Sequence, residues 1–223
     1  MKLNYFTLCL CHEDFSPEEN RHYGRILENE SAYLTESICR AMNNEKFKFD
    51  CRRINLMCCN KNRIRPGVIS SDRILFYDVP FDTSYFLMTF TDKQKYLLEI
   101  IREGLRTICD FIEWDFSLFD KHIKVLEDCN FQAEFYIANI CRNGDYSAKV
   151  YAVQSMHEIR LFVDFFRKRT FLQRKSLVTM SETRSMRYGW DINHIKWIDH
   201  KTVAVYNADE TNVLFVSMDD SMM

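Results

Sequence analysis

The segment from Ile159 to Arg167 reads IRLFVDFFR, and its alternation decides the class of the fold. Ile159, Leu161, Val163 and Phe165 fall on one side of an extended chain, while Arg160 and Asp164 fall on the other. A period of two with a single apolar face marks a strand packed on one side only. Just upstream, Asn143-Gly144 separates two further alternating runs, 131–141 and 147–156. A tight hairpin turn needs positive φ at its central residues, which Asn-Gly supplies at little cost. Downstream, runs at 171–181, 192–198, 202–207 and 212–217 continue the pattern, with Asp199-His200-Lys201 and Ala208-Asp209-Glu210 as hairpin loops. About seven strands in the C-terminal half therefore read as an antiparallel meander.

Upstream of residue 130 the period changes to that of a helix. Leu97, Ile101, Leu105, Ile108 and Ile112 share one side of a helix expected over 92–114, with Thr91 and Gln94 spaced as a capping box. Gly104 lies on the same side, where a missing side chain lets a neighbouring backbone approach. A second helix over 117–129 turns Phe119, Ile123 and Leu126 inward. Before these, a strand at 3–11 places Leu3, Tyr5, Cys9 and Cys11 on one face. A polar, acidic loop over 12–30 follows, then a short helix carrying Leu34, Ile38 and Met42, and strands near 47–56, 73–79 and 84–90. The expectation is one α+β domain over 1–223, with a strand and helix part at 1–90, a helical pair at 91–129 and a β-meander at 130–217. Its antiparallel meander sheet packs against two or three helices.

Composition narrows the function. The chain has 223 residues, 30 Lys and Arg against 32 Asp and Glu, and a formal net charge of −2. Bulk charge of that size gives no field to draw in nucleic acid or anionic lipid, so neither a membrane nor a nucleic acid is an expected partner. Glycine (5) and proline (3) are scarce, where average usage would put about 27 of the two together. No glycine-rich phosphate loop, dinucleotide fingerprint, nucleophile elbow or H-E-x-x-H zinc motif is present. A nucleotide enzyme needs backbone amides close to phosphate, so no enzyme activity and no cofactor are expected. Nine cysteines is an odd number with no secretory leader before them, which points to reduced thiols in a cytoplasm. No run approaches a membrane-spanning length.

The cysteines still call for a chemical reading. Cys9, Cys11 and His12 lack zinc-motif spacing, and on one strand face the two thiols read as small hydrophobes, so no metal is expected. Cys58 and Cys59 lie next to a basic loop that could lower a thiol pKa, which leaves a divergent cysteine hydrolase as the third-ranked reading. Charge is segregated along the chain. Residues 160–187 hold eight basic and two acidic side chains, whereas 188–223 hold six acidic and two basic. The basic run Arg167, Lys168, Arg169, Arg174 and Lys175, with Phe166 and Phe171 for stacking, supports a second-ranked reading as an RNA- or DNA-binding accessory protein. The acidic end supports the leading one. Asp199, Asp209 and Glu210 form an acidic face for a basic partner protein, with Tyr188, Trp190 and Trp197 as aromatic anchors.

The stretch from Phe90 to Val216 resembles the immunity proteins of bacterial contact-dependent and polymorphic toxin systems. The residues behind the resemblance are a long helix carrying Gly104-Leu105 and ending in Glu113-Trp114-Asp115, a short second helix, and a meander closing with Ile195-Lys196-Trp197-Ile198-Asp199. The resemblance leaves out the cysteine-rich N-terminal third and transfers no binding residue. It implies a cytoplasmic bacterial protein that binds one cognate toxin and occludes its active site without performing chemistry.

Overall fold

The computed structural model describes residues 2–137, 140–180, 192–207, 210–211 and 213–219. The chain divides into two compact units, Met1–Phe131 and Gln132–Met223, at the point where the sequence pattern turns from helices to strands. The α+β class is as expected, and its C-terminal half is antiparallel. No described helix is long and apolar enough to cross a membrane.

The first unit is built on a parallel sheet. β1 (Tyr5–Leu10), β2 (Arg53–Cys59) and β4 (Ile74–Pro80) run parallel in that order, and the short β3 (Ile69–Ser71) pairs antiparallel on the β4 edge. A parallel pair needs a crossover of a dozen residues or more, and α1 (Pro17–Asn44) supplies it between β1 and β2. This 28-residue helix replaces the loop expected over 12–30. Ser16 caps it, its hydroxyl accepting from Glu19 N–H while the Glu19 carboxylate accepts from Ser16 N–H, and Pro17 occupies the first turn. Its buried residues begin only at Leu27, so the first turns carry no apolar period to read.

α2 (Phe90–Ile112) starts two residues earlier than expected, because Thr89 and Asp92 form the cap and Gln94 is buried. The strand expected at 84–90 is instead a 3-10 turn, Thr83–Leu87, that buries Tyr85. A Cβ on Gly104 would lie 2.7 Å from Leu56 Cδ2 and 3.2 Å from Val79 Cγ1. The glycine thus seats α2 on the side chains of β2 and β4 rather than on a neighbouring backbone. α3 (Phe116–Asp128) buries Phe119, Ile123 and Leu126 as read. α1 and α2 are tied by Glu30, which takes Lys93 Nζ at 2.9 Å and the Tyr85 hydroxyl at 2.6 Å. All three α-helices among the described residues lie in this unit; the even-numbered residues Phe6, Leu8, Leu10, Ile54, Leu56 and Cys58 are buried in its core.

The second unit is a β-sandwich. The expected first strand is two short ones, β5 (Ala133–Tyr136) and β6 (Cys141–Asn143), pairing with opposite ends of β7 (Tyr146–Gln154). β8 (Ile159–Arg167) and β9 (Thr170–Met180) complete a five-stranded sheet, while β10 (Ile192–Trp197), β11 (Thr202–Asn207) and β12 (Val213–Ser217) make a separate three-stranded one. Val150, Leu161, Val163 and Phe165 from the first sheet and Ile195, Val203, Val205 and Val216 from the second share one core. Face-to-face packing of this kind buries one side of each sheet and leaves the other outward. The turn at Asn143-Gly144 is a hairpin with Gly144 at φ +58°.

Candidate functional site

Strand alternation gives the three-stranded sheet an outer face made of His194, Lys196, Tyr206, Val213 and Phe215. Phe215 is 64 % exposed, and Ile198, one step beyond β10, is 51 % exposed. The His194 ring stacks on Tyr206 at 4.4 Å between centroids. Burying the exposed part of Phe215 in a partner would recover about 1–2 kcal/mol, a share of the roughly 1.5–3 kcal/mol for a whole side chain.

The expected acidic residues lie at the two ends of this face. Asp199 follows β10 and accepts from Lys201 N–H at 2.8 Å and Thr202 N–H at 2.7 Å. These two donors hold its carboxyl below the usual range. Glu210 sits in the next loop with φ +58° and lies 3.7 Å from His194 Nδ1. Six residues of β11 separate the two loops, about 20 Å of extended chain, so they lie at opposite ends of a face that mixes Phe215, Val213 and Tyr206 with His194 and Lys196, instead of forming one acidic patch. Trp197 is not a surface anchor. It points to the core side, packs on Phe165 at 5.8 Å and donates its indole N–H to Cys141 O at 3.3 Å. Tyr188, Trp190 and Asp209 lie outside the described residues.

The basic hairpin splits in two. Arg174 sits on the outer face of the five-stranded sheet, donating to both oxygens of buried Asp164 at 2.7 and 2.9 Å and lying 3.7 Å over the Tyr151 ring. Lys168 and Arg169 form the β8–β9 turn with φ +48° and +75°. They join Arg142, Lys149, Tyr146 and Phe166 around a cleft of about 530 Å³. Phe166 and Phe171 meet edge to face across the hairpin at 5.9 Å.

Three of the nine cysteines, Cys11, Cys58 and Cys59, lie at the carboxyl ends of β1 and β2. Burial pushes the Cys58 thiol well above its ordinary value. Cys59 moves the same way, through burial first, then the Cys11 hydrogen bond and the Asp78, Cys11 and Asp14 charges. That direction is opposite to the one an activated nucleophile needs. Asp78 is buried and takes both Nε and Nη2 of Arg65, at 2.8 and 2.7 Å. Cys59, 48 positions on in the sequence, lies beside Cys11, a proximity that spacing among Cys9, Cys11 and His12 does not reveal.

Comparison of the chain with protein-family models, with curated proteins and with solved structures finds no match.

Proposed function

We propose that this chain is a non-enzymatic inhibitor that binds a partner protein on the outer face of the β10–β11–β12 sheet, as an immunity protein binds its toxin. The observation that carries the reading is the exposure of Phe215 on β12 and of Ile198 just after β10, with Asp199 and Glu210 in the loops at the two ends of the same sheet. An apolar centre with a charged rim is the usual anatomy of a specific interface. Large aromatic side chains at its centre supply most of the binding energy, and rim carboxylates steer a basic partner and speed its arrival. The raised thiols of Cys58 and Cys59 support a role without covalent chemistry. The resemblance noted above supplies the partner's class, a bacterial toxin.

The test is capture of the tagged protein from its native cells, followed by production of the captured partner alone, with wild-type chain, and with Phe215→Asp chain. The reading expects a stoichiometric protein that is toxic alone, harmless beside the wild type and toxic again beside the variant. A partner bound and neutralised equally by both chains contradicts it.

A second reading rests on the cleft at the β6–β7 and β8–β9 turns. Four cations and two aromatic rings there suit an anionic, base-bearing ligand such as single-stranded RNA. Binding of mixed oligonucleotides that falls steeply with salt, and is lost in Lys168→Glu/Arg169→Glu, would favour it.

A further inference from the structure

We infer that Cys11, Asp14 and Cys59 form a binding site for a zinc-class divalent cation at the carboxyl end of β1 and β2. The argument begins with register. β1 and β2 pair in parallel with Leu10 opposite Cys58, and Cys11 N–H continues the ladder onto Cys58 O at 3.0 Å. Cys11 is therefore the cross-strand neighbour of Cys59, and both side chains leave the sheet on the same side. Asp14 returns over them in the turn that follows β1, where its N–H reaches Cys11 O at 3.2 Å. The two sulfurs and a carboxylate oxygen lie within 4.8 Å of one another.

Those separations suit a tetrahedral ion. Zinc takes thiolate sulfur at about 2.3 Å and carboxylate oxygen at about 2.0–2.2 Å, which puts neighbouring ligand atoms somewhat under 4 Å apart. Small side-chain rotations close the difference without moving the backbone. The ligand types also match, since two thiolates and a carboxylate select zinc over the hard cations that prefer all-oxygen shells. Asp14 is already oriented as outer-shell bonding would orient a metal ligand. Its Oδ2 accepts from Asn60 N–H at 2.6 Å, and its Oδ1 lies 3.4 Å from Arg63 Nε.

The coordination has an open side. A cavity of about 400 Å³ is lined by Asp14 and Cys59 together with Phe15, Lys61 and Phe81. With three protein ligands, two of which (Asp14 and Cys59) line this cavity, the fourth position is left to water or a small anion. Binding proceeds with release of both thiol protons to solvent, the sulfurs keeping their electron pairs as donors to the ion, so no oxidant is consumed. Sequence spacing hid the site because its ligands come from two strands joined by a 28-residue helix.

The experiment is titration of the reduced full-length protein with Zn²⁺ against a chromophoric chelator, paired with Co²⁺ absorption in the thiolate charge-transfer region. The expected result is one ion per chain, about two protons released per ion at neutral pH, and a cobalt spectrum of mixed sulfur and oxygen donors. Asp14→Asn, which retains an oxygen to accept from Asn60 N–H, should weaken zinc at least tenfold. Cys11→Ser should remove the charge-transfer band, while Cys129→Ser at an exposed site changes neither. No stoichiometric binding by the folded wild type overturns the proposal, and so does binding that survives both Asp14→Asn and Cys11→Ser.

Discussion

The two units solve the same problem, a sheet with two faces, in opposite ways. In the first, the parallel strands β1 and β2 turn Phe6, Leu8, Ile54 and Leu56 inward to the core. The other side of β1 and β2 carries Thr7, Asn55, Cys11 and Cys59, with Thr7 Oγ1 donating to Asn55 Oδ1 at 2.8 Å. In the second, two antiparallel sheets use each other as cover and leave Phe215 and Ile198 in solvent. Thiols and carboxylates thus concentrate where the parallel strands end, as in open α/β sheets generally, while the exposed large hydrophobics Phe215 and Ile198 belong to the sandwich.

Substitution can break this comparison, most sharply inside the sandwich itself. Phe165→Ala empties a fully buried site and should cost about 3–5 kcal/mol, whereas Phe215→Ala, on the outer face of the three-stranded sheet, should stay within about 0.5 kcal/mol. Urea unfolding of both variants checks it, and similar costs would mean that Phe215 is a core residue after all. In the first unit, Gly104→Val drives a side chain into Leu56 and Val79, and overpacking of that kind should cost about 1–3 kcal/mol. An unchanged midpoint would show that α2 is not seated on β2 and β4 through this glycine.

The Asp78–Arg65 pair sharpens the comparison through pH. Burial acts to raise the Asp78 carboxyl, but the Arg65 hydrogen bonds and charge outweigh it and hold the group below its ordinary value of 3.8. A carboxyl depressed in the folded state stabilises fully above its unfolded pKa and loses that contribution as pH falls through the folded one. Stability should therefore fall faster with acid below about pH 4 in the wild type than in Asp78→Asn. Parallel pH curves for the two proteins would dismiss the pair as a source of stability. The smallest effect is expected at the β8–β9 turn, where Arg169 holds φ +75°. Glycine accepts that conformation freely, so Arg169→Gly should be neutral or stabilising by up to about 1 kcal/mol, measured as a shift in the unfolding midpoint.

Legibility in the sequence followed the range of the contacts. The β7, β8 and β9 strands, the Asn143-Gly144 turn and the inward faces of α2 and α3 rest on neighbours a few residues away, and their periods were plain. The parallel sheet pairs Leu10 with Cys58 across α1, and no local pattern encodes such a pairing. α1 was half hidden for a different reason. Its first turns bury nothing before Leu27, so only the Ser16-Pro17 and Glu19 cap could have revealed it. Among the binding candidates, composition pointed to the acidic loops at Asp199 and Glu210 but not to Phe215 between them. It also pointed to Trp197, whose partly buried packing against the core depends on Phe165 and Cys141 from distant strands.

The most direct test of the binding account is amide hydrogen exchange of the protein alone and in complex with its captured partner. Binding to the sandwich's outer face predicts slowed exchange in peptides covering the 198–201 loop and β12 around Phe215, with the β8–β9 turn at Lys168 and Arg169 unchanged. Protection confined to that basic turn, with 198–217 exchanging as in the free protein, would contradict it.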